Sequence, residues 1–362
     1  MQRKFFILNW MDIKNPKAGG QEKYCFEIGR RLARNGVKVY WISSKFPNSM
    51  SRVTVEKIEI IRTGNIYTVF FGSFFQYLKY RKNSYFFLSM NAIPFFVPFS
   101  RRRRMVMLHH RIDIDVMKEK AGKLGYLSFF LQEYIMPLLF RNDHVITNSP
   151  SSKRDFESIG YRDISIVKLG VELQENCKFK KKKLCISPGP VKPWKHHDLV
   201  VKAFSSMPAD WELSVFGSFE SNDYRDMLNS ICSELRIQKR IHFLGRISEK
   251  EMKELYESAS ICILGTEKEG WGLVAMEAQS FGCPVVAFDV PGIRDSVVNG
   301  ETGLLVKFGD VTALANALID LSSNDKLLRE MGENAVKRSR EYGWEACYDE
   351  FRQELQRIIP DI

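Results

Sequence analysis

The sequence predicts an α/β protein with two domains. The chain has 362 residues, which is too long for one ordinary hydrophobic core and fits two domains of common size. Hydrophobic residues make up 44% of it, enough to fill a core in each domain, so wholesale disorder is excluded. Short apolar runs that alternate with helical patterns indicate parallel sheets. These runs are Lys4–Leu8, Val37–Ser43, Met105–Leu108, Ile261–Leu264 and Val285–Phe288.

The amino-terminal segment has the pattern of a β-α-β unit in a Rossmann-like sheet. The strand Lys4–Leu8 is followed by a loop that contains Gly19 and Gly20, and then by a helix that stops at Asn35 and Gly36. The glycine loop lacks the Gly-x-Gly-x-x-Gly spacing of a dinucleotide site. We therefore do not expect this domain to bind NAD.

The middle of the first domain is rich in aromatic residues. Between Val53 and Phe99 the pattern predicts strands at Ile58–Ile61, Thr68–Phe71 and Tyr85–Leu88. The apolar segment Gly122–Phe140 is interrupted by polar residues and a proline. It predicts a helix packed on the sheet rather than a membrane span, with a peripheral membrane contact as the lesser possibility. Further on, Asp143–Thr147 predicts a strand, and Asn148-Ser149-Pro150 predicts a capped helix start.

The second half contains a strand, a tight turn and a helix in succession. Ile261–Leu264 predicts a buried strand, and the polar turn after it contains Glu269. The following helix is predicted from Gly272 to Phe281, with Gly282 as its left-handed cap. A helix start leaves amide groups free and carries the positive end of the helix dipole. This turn therefore predicts a phosphate-binding site.

Three motifs in this half are long and ordered: Glu269-Gly-Trp-Gly-Leu-Val-Ala-Met-Glu277-Ala, Gly282-Cys-Pro-Val-Val-Ala and Asn299-Gly-Glu-Thr-Gly-Leu-Leu-Val306. They resemble the donor-site signature of the retaining GT-B glycosyltransferases, fourth sequence family (glycosyl transferases group 1). The resemblance implies a GT-B fold, with two Rossmann-like domains facing each other across a cleft. It also implies that Glu269 meets the donor sugar and Glu277 the ribose.

The resemblance implies a binding site for the donor diphosphate as well. The helix start at Gly272, Leu273 and Val274 would contribute amides to it. After the predicted strand Leu184–Ile186, Gly189 and Lys195 match the family's turn and its lysine. Pro190 stands where relatives carry an arginine, which removes a forked phosphate donor. Either Lys192 or Arg246 could replace that cation, and the sequence leaves this choice open.

Two further parts of the first domain match the family's pattern. Gly19 and Gly20 resemble the loop whose amide approaches the donor diphosphate; a plain turn is the alternative. A histidine after the equivalent strand meets the donor sugar in the family. Here that is His109 or His110, with His109 favoured because it comes first after the strand Met105–Leu108. Packing or surface exposure is the alternative for both, and adjacent histidines on an extended chain do not form a metal site.

Charge and cysteine content suggest a location. The net charge is +11, with basic clusters at Arg101–Arg104 and Lys178–Lys183. Next to the aromatic region from Tyr67 to Phe99, such cations suit an anionic membrane surface. Nucleic acid is the competing interpretation, and a solvated loop and linker are the alternative. The seven cysteines are scattered and form no Cys-x-x-Cys pair, which indicates a reducing compartment without structural zinc.

The start of the chain and its hydropathy agree with that location. The first apolar run is too short for a signal sequence, and no stretch reaches the length of a membrane span. We therefore expect a cytoplasmic protein, peripheral on the inner face of the cell membrane, that does not bind nucleic acid.

The predicted domains are 1–173, 174–342 and a C-terminal helix, 343–362, that crosses back to the first domain. The predicted function is retaining transfer of a sugar, expected to be a hexose, from a nucleotide-diphosphate sugar to a glycan or lipid-linked acceptor in cell-surface polysaccharide or glycolipid synthesis. A UDP-sugar is favoured over a GDP-sugar, and no cofactor or metal is expected. His109, Glu269 and Lys195 are the predicted catalytic residues. A GT-B binding module with impaired catalysis, and a hydrolase using Glu269 and Glu277 as acid and base, are the alternatives.

Overall fold

The computed structural model describes residues 4–82, 84–90, 94–95, 97, 104–108, 123–175, 177, 179 and 181–358. The chain forms two compact units. The first unit is Met1–Gly170 together with Trp344–Ile362, and the second unit is Val171–Gly343. Among the described residues, no helix is both long enough and apolar enough to cross a membrane.

The first unit is built on a sheet that has eight strands in its described part. Their spatial order is β3-β4-β2-β1-β5-β6-β7-β8. All neighbours pair in parallel except β3, which is antiparallel to β4. The strands are β1 Lys4–Leu8, β2 Lys38–Ser43, β3 Arg52–Val55, β4 Ile58–Arg62, β5 Ser84–Met90, β6 Arg104–Leu108, β7 His144–Thr147 and β8 Ile164–Ile166.

Helices cover this sheet. They are α1 Gly20–Arg34, α2 Val69–Tyr80, α3 Lys123–Phe130, α4 Met136–Phe140, α5 Pro150–Ser158 and a C-terminal helix, Trp344–Gln356; a π-helical segment, Leu131–Ile135, joins α3 to α4. The predicted cap is confirmed, because the hydroxyl of Ser149 accepts a hydrogen bond from the amide of Ser152 at 3.0 Å. The C-terminal helix packs on the first unit, where Phe351 lies edge-on to Phe5 and Phe87.

One predicted strand is wrong. The pattern predicts a strand at Thr68–Phe71, but Val69–Tyr80 is the helix α2, with Val69, Ser73 and Tyr77 buried at four-residue spacing. The strands before and after it, β4 and β5, belong to one largely parallel sheet, so the chain must cross over between them, and a helix is the usual crossover. The packing of α2 on the sheet therefore outweighs the β-propensity of the aromatic residues in this segment.

The second unit has a six-stranded sheet in its described residues, parallel throughout. The spatial order is β11-β10-β9-β12-β13-β14. The strands are β9 Lys182–Pro188, β10 Glu212–Phe216, β11 Ile241–Gly245, β12 Ala259–Leu264, β13 Val285–Phe288 and β14 Gly303–Val306. The strand order reverses between the neighbours β9 and β12. In open parallel sheets, ligands bind beside the carboxyl ends of strands at such a reversal.

The helices of the second unit lie between these strands. They are α6 His197–Phe204, α7 Asn222–Glu234, α8 Glu249–Ser258, α9 Leu273–Ser280, α10 Ile293–Ser296, α11 Val311–Ser322 and α12 Asp325–Arg340. A short 3-10 turn, Pro193–Lys195, precedes α6. The predicted end of α9 is confirmed, because Gly282 lies in the left-handed region with φ of +67°.

One residue of each basic cluster is withdrawn from solvent, Arg104 fully and Lys181 in part. Arg104 lies in β6 and forms an ion pair with Asp143 at 2.6 Å, with its side chain 8% exposed. Lys181 donates to the carbonyl oxygens of Phe281 and Tyr256, and burial lowers the pKa of this lysine. The interpretation of Arg104 and Lys181 as exposed cations is therefore wrong. Arg101–Arg103 lie outside the described residues.

Candidate functional site

A pocket in the second unit lies at the carboxyl ends of β9 and β12, where the strand order reverses. Its walls come from the loop after β9, the start of α6, the loop after β12 and the first turn of α9. Five residues predicted from the sequence line it together: Gly189, Lys195, Glu269, Leu273 and Val274. The fold thus brings one predicted cation, one predicted carboxylate and a helix start into a single concave site.

The start of α9 offers free backbone donors to this pocket. Gly272 is the N-cap residue, with φ of 77°, and no side chain caps the helix. A Cβ at this position would lie 2.5 Å from the hydroxyl of Ser296, so the close approach requires glycine. Because Leu273 and Val274 line the pocket, their amides and the positive end of the helix dipole favour a bound anion.

Lys195 and Glu269 form an ion pair inside the pocket. Their side chains are only 21% and 25% exposed, so the contact is partly shielded from water. The two residues stand 74 positions apart in the sequence. The two charges therefore compensate each other, and a bound phosphate has to compete with Glu269 for Lys195.

The Glu269 loop is held in place by a neighbouring turn. The amide of Glu269 donates to the carbonyl oxygen of Pro291 at 3.0 Å. The next residue, Gly292, has φ of +83°, and a Cβ there would lie 2.2 Å from the carbonyl oxygen of Glu269. A side chain at position 292 would therefore push the Glu269 loop out of position.

We predict that Gly292→Ala weakens binding of UDP, whereas Gly300→Ala does not. Gly300 is the matched control because its φ is +81° and a Cβ there would meet nothing within 4 Å. Both variants place an alanine at a positive φ, which is strained, but only Gly292→Ala also displaces Glu269. Thermal unfolding and calorimetric UDP titration of both variants would measure this. Equal UDP affinities would contradict the proposed coupling between Gly292 and Glu269.

Glu277 lies one helical turn beyond Leu273, on the same side of α9. Its carboxylate accepts a hydrogen bond from the hydroxyl of Tyr256. Burial, and then the charge of Glu277, raises the pKa of Tyr256 well above its usual value. Tyr256 therefore stays a neutral donor that orients the carboxylate of Glu277.

The two candidate replacements for the missing arginine lie outside this lining. The ammonium of Lys192 pairs with Glu220 at 3.3 Å and lies 4.9 Å from the ring centre of Trp194. Arg246 is exposed in the turn after β11. Pro190 itself lines the pocket. Among the described lining residues, Lys195 is thus the sole lysine or arginine.

His197 is a lining residue that the sequence analysis missed. It is the first residue of α6, is 3% exposed, and has no hydrogen-bond partner for its buried Nδ1. Burial, followed by the nearby charge of Lys195, lowers the pKa of His197 to about 3. The ring is therefore neutral at physiological pH. Its position two residues after Lys195, at a helix start, was the available signal.

The pKa of His197 predicts a pH dependence of stability. The unfolded chain takes up a proton on this residue below about pH 6.5, whereas the folded unit does so only near pH 3. The stabilisation is therefore complete above the unfolded pKa and is lost as the pH falls toward the folded pKa. Between these two pKa values, each unit by which the pH falls lowers the free energy of unfolding by about 1.4 kcal/mol.

We expect His197→Gln to flatten this dependence between about pH 6.5 and pH 4. His242→Gln is the control, since His242 is 43% exposed and pairs with Glu212 at the surface. Urea unfolding of the second unit, monitored by hydrogen exchange at several pH values, would measure how the free energy of unfolding depends on pH in each variant. A slope for His197→Gln as steep as that of the wild type would rule out the buried neutral imidazole.

The remaining predicted residues belong to the first unit. Gly19 is the N-cap residue of α1, and Gly20 is its first residue. The amide of Gly19 donates to the carboxylate of Glu22 at 2.8 Å, and Asn9 donates to the same carboxylate at 3.2 Å. Burial raises the pKa of Glu22. His109 and His110 lie outside the described residues, so their roles stay predictions.

Solved structures share this fold over the whole chain. Sucrose-phosphate synthase from Thermosynechococcus elongatus superposes with a TM-score of 0.80 at 21% identity, covering 100% of both chains. The Anabaena protein HepE in complex with UDP and glucose superposes with a TM-score of 0.76 at 16% identity, covering 98% of this chain and 100% of that one. The fold is therefore that of the GT-B glycosyltransferases.

Two family models match the two halves of the sequence. The model for glycosyl transferases group 1 matches residues 172–338, and the model for glycosyltransferase family 4 matches residues 18–175. Both models describe glycosyltransferases, and together they cover most of the chain.

Two sequence relatives match this chain over very different lengths. The D-inositol 3-phosphate glycosyltransferase of Corynebacterium glutamicum (strain R) is 36% identical over 164 residues, which are 44% of this chain and 39% of that relative. The N-acetyl-alpha-D-glucosaminyl L-malate synthase of Bacillus anthracis is 24% identical over 367 residues, covering 94% of this chain and 92% of the relative. The match to the first relative thus spans well under half of its length.

Proposed function

We propose that the protein transfers a sugar from a nucleoside-diphosphate sugar whose diphosphate binds in the pocket of the second unit. The observation that carries this proposal is the meeting of Lys195, Glu269 and the uncapped start of α9 at the strand-order reversal. A cation and free amides are the groups that stabilise a departing diphosphate. The matches of both halves to glycosyltransferase models support sugar transfer as the reaction.

Five of the predicted residues have a defined task in this reaction. Lys195 leaves Glu269 and binds the diphosphate, together with the amides of Leu273 and Val274. Glu269, released from Lys195, orients the hydroxyl groups of the donor sugar. Glu277, held by Tyr256, binds the ribose. The charge that develops on the leaving group is then met by protein donors, so the proposed reaction requires no metal.

The proposed transfer retains the anomeric configuration. The departing phosphate deprotonates the acceptor on the face from which it leaves, so the new bond forms on that face. Hydrolysis by a pair of carboxylates is the weaker alternative, because Glu269 is paired with Lys195 and Glu277 with Tyr256. An NMR assay of the first-formed product would distinguish retention from inversion, and activity in the presence of a chelator would test the independence from metal.

For the donor we propose a UDP-sugar rather than a GDP-sugar, with a hexose as the sugar. The Anabaena protein of the same fold was solved with UDP and glucose, and this supports the proposal by analogy only. The acceptor is a glycan or a lipid-linked intermediate of cell-surface polysaccharide or glycolipid synthesis. The protein acts in the cytoplasm, at the inner face of the cell membrane.

A thermal-shift panel with UDP, GDP, ADP and CMP tests the donor site. A ligand at about a hundred times its dissociation constant stabilises its site by about 2.7 kcal/mol. We expect a selective shift with UDP that is reduced in Glu277→Ala, because Glu277 binds the ribose. Glu220→Ala is the control, since Glu220 pairs with Lys192 outside the pocket lining. No shift with any nucleotide would contradict the donor site.

The second candidate function is a sugar-nucleotide or polyanion binding module that has lost turnover. Pro190 favours it, because this proline lines the pocket where the family's arginine is expected. Release of UDP from UDP-sugars by the wild-type protein distinguishes the two. Turnover that disappears in Glu269→Gln supports the transferase, whereas tight UDP binding without any release supports the binding module.

A further inference from the structure

Helix α2 of the first unit exposes apolar side chains along one face. Phe71, Phe75 and Leu78 are 71%, 67% and 39% exposed. Their spacing of four and then three residues places them on the same side of the helix. The opposite side, with Val69 and Tyr77, is buried in the core. The sheet therefore holds α2 by one face and leaves an apolar stripe on the other.

The segment α3–α4 repeats this arrangement. Four apolar side chains at spacings of three, four and four residues are between 49% and 66% exposed: Leu127, Phe130, Tyr134 and Leu138. Met136 and Phe140 are buried in the core cluster that also contains Val69 and Tyr77. Both helical segments thus pack on the same face of the first sheet, and both apolar stripes point away from it.

Exposed apolar residues concentrate in these two segments. Of the eighteen large apolar side chains that are exposed in the described residues, eleven lie within Ile66–Leu78 or Tyr126–Leu139. Single exposed apolar residues are normal on a protein surface, but clusters mark interaction sites. The distribution therefore indicates a partner for this face of the first unit.

The charge next to the α2 stripe points to an anionic partner. Residues 60–112 contain nine lysines and arginines and no aspartate or glutamate. Two of these cations, Arg62 and Arg104, pair with buried carboxylates. Lys79, Arg81 and Lys82 are exposed directly beyond Leu78, at the end of the α2 stripe. Apolar side chains next to exposed cations match the interface of a bilayer that contains anionic lipid.

We propose that these two stripes form one docking surface for an anionic lipid bilayer. The docking surface consists of Phe71, Phe75, Leu78, Leu127, Phe130, Tyr134 and Leu138. The inference rests on the proposed membrane-bound acceptor and specifies which side of the first unit meets the membrane. The aromatic side chains enter the boundary between headgroups and acyl chains, while Lys79, Arg81 and Lys82 lie among the anionic headgroups.

Vesicle sedimentation tests the apolar part of the docking surface. We expect the wild-type protein to bind vesicles of equal parts phosphatidylcholine and phosphatidylglycerol, and to bind phosphatidylcholine alone much more weakly. Phe71→Ser/Phe75→Ser should lower binding to the mixed vesicles at least about tenfold, because two exposed rings no longer enter the lipid. Met227→Ser/Leu235→Ser, at exposed apolar positions of the second unit, should leave binding unchanged.

Charge reversal tests the basic part. Lys79→Glu/Arg81→Glu/Lys82→Glu should abolish the preference for phosphatidylglycerol, whereas Lys250→Glu/Lys253→Glu on α8 should keep it. Absence of wild-type binding to either vesicle, or equal losses in the test and control variants, would overturn the proposal. Self-association that disappears in Phe71→Ser/Phe75→Ser would assign the surface to a second copy instead. UDP affinity should stay unchanged in every variant, so a failed donor site would be recognised separately.

Discussion

Replacement of Lys195 by alanine is expected to weaken UDP binding by about 10- to 150-fold. A hydrogen bond to a charged group contributes about 1.5–3 kcal/mol, and each 1.4 kcal/mol is about tenfold in affinity. Lys195 is the sole lysine or arginine among the described lining residues of the pocket, so no other lining cation replaces it. The variant also leaves the carboxylate of Glu269 uncompensated beside the diphosphate. Calorimetric titration with UDP measures the change.

A double variant separates these two causes. In Lys195→Ala/Glu269→Gln the repelling carboxylate is gone, so UDP binding should recover part of the loss seen in Lys195→Ala. Sugar transfer should not recover, because Glu269 is also proposed to orient the donor sugar. Lys192→Ala is the matched control and should change UDP affinity little, since Lys192 pairs with Glu220 away from the lining. A large loss in Lys192→Ala would instead assign the arginine's role to Lys192.

The largest expected loss of stability in the first unit follows from Asp12→Ala. The carboxylate of Asp12 accepts two hydrogen bonds from Arg62, at 2.8 and 2.9 Å, and one from the hydroxyl of Ser43 at 2.7 Å. Both charged side chains are buried, with exposures of 0% and 3%. Removal of one partner leaves a buried, uncompensated charge, which costs about 3–5 kcal/mol. Hydrogen exchange in β1, β2 and β4 would report the loss for this unit alone.

Two further variants test whether the buried, uncompensated charge causes the loss of stability in Asp12→Ala. Asp12→Ala/Arg62→Met should be more stable than Asp12→Ala, because the uncompensated cation is removed and its volume is kept. Arg34→Ala is the control in the same unit; its pair with Glu56 is about half exposed and should contribute less than about 1 kcal/mol. A cost of Asp12→Ala no larger than that of Arg34→Ala would show that this buried ion pair does not stabilise the first unit.

Local sequence signals predicted much of the fold. The buried strand at Met105–Leu108, the cap at Ser149 and the helix end at Gly282 each depend on neighbouring residues, and the structure confirms all three. The helix at Val69–Tyr80 depends instead on the crossover between β4 and β5, which an aromatic run alone does not reveal. Its β-propensity therefore led to a wrong strand.

Motifs predicted five of the residues that line the candidate site, but not their arrangement. The glycines, Lys195 and Glu269 follow from motifs, yet their pairing across 74 positions requires the tertiary fold. The partner of Lys192 is Glu220, in the loop after another strand, and the burial of Arg104 depends on Asp143. No motif marks His197. Its low pKa results from burial beside Lys195, which only the tertiary fold reveals.

A crystal structure with UDP would test most directly whether the pocket of the second unit binds the donor diphosphate. We predict diphosphate oxygens within hydrogen-bonding distance of the Lys195 ammonium and of the amides of Leu273 and Val274, with Lys195 separated from Glu269. UDP bound elsewhere, or UDP in the pocket while Lys195 remains paired with Glu269, would contradict the proposed donor site.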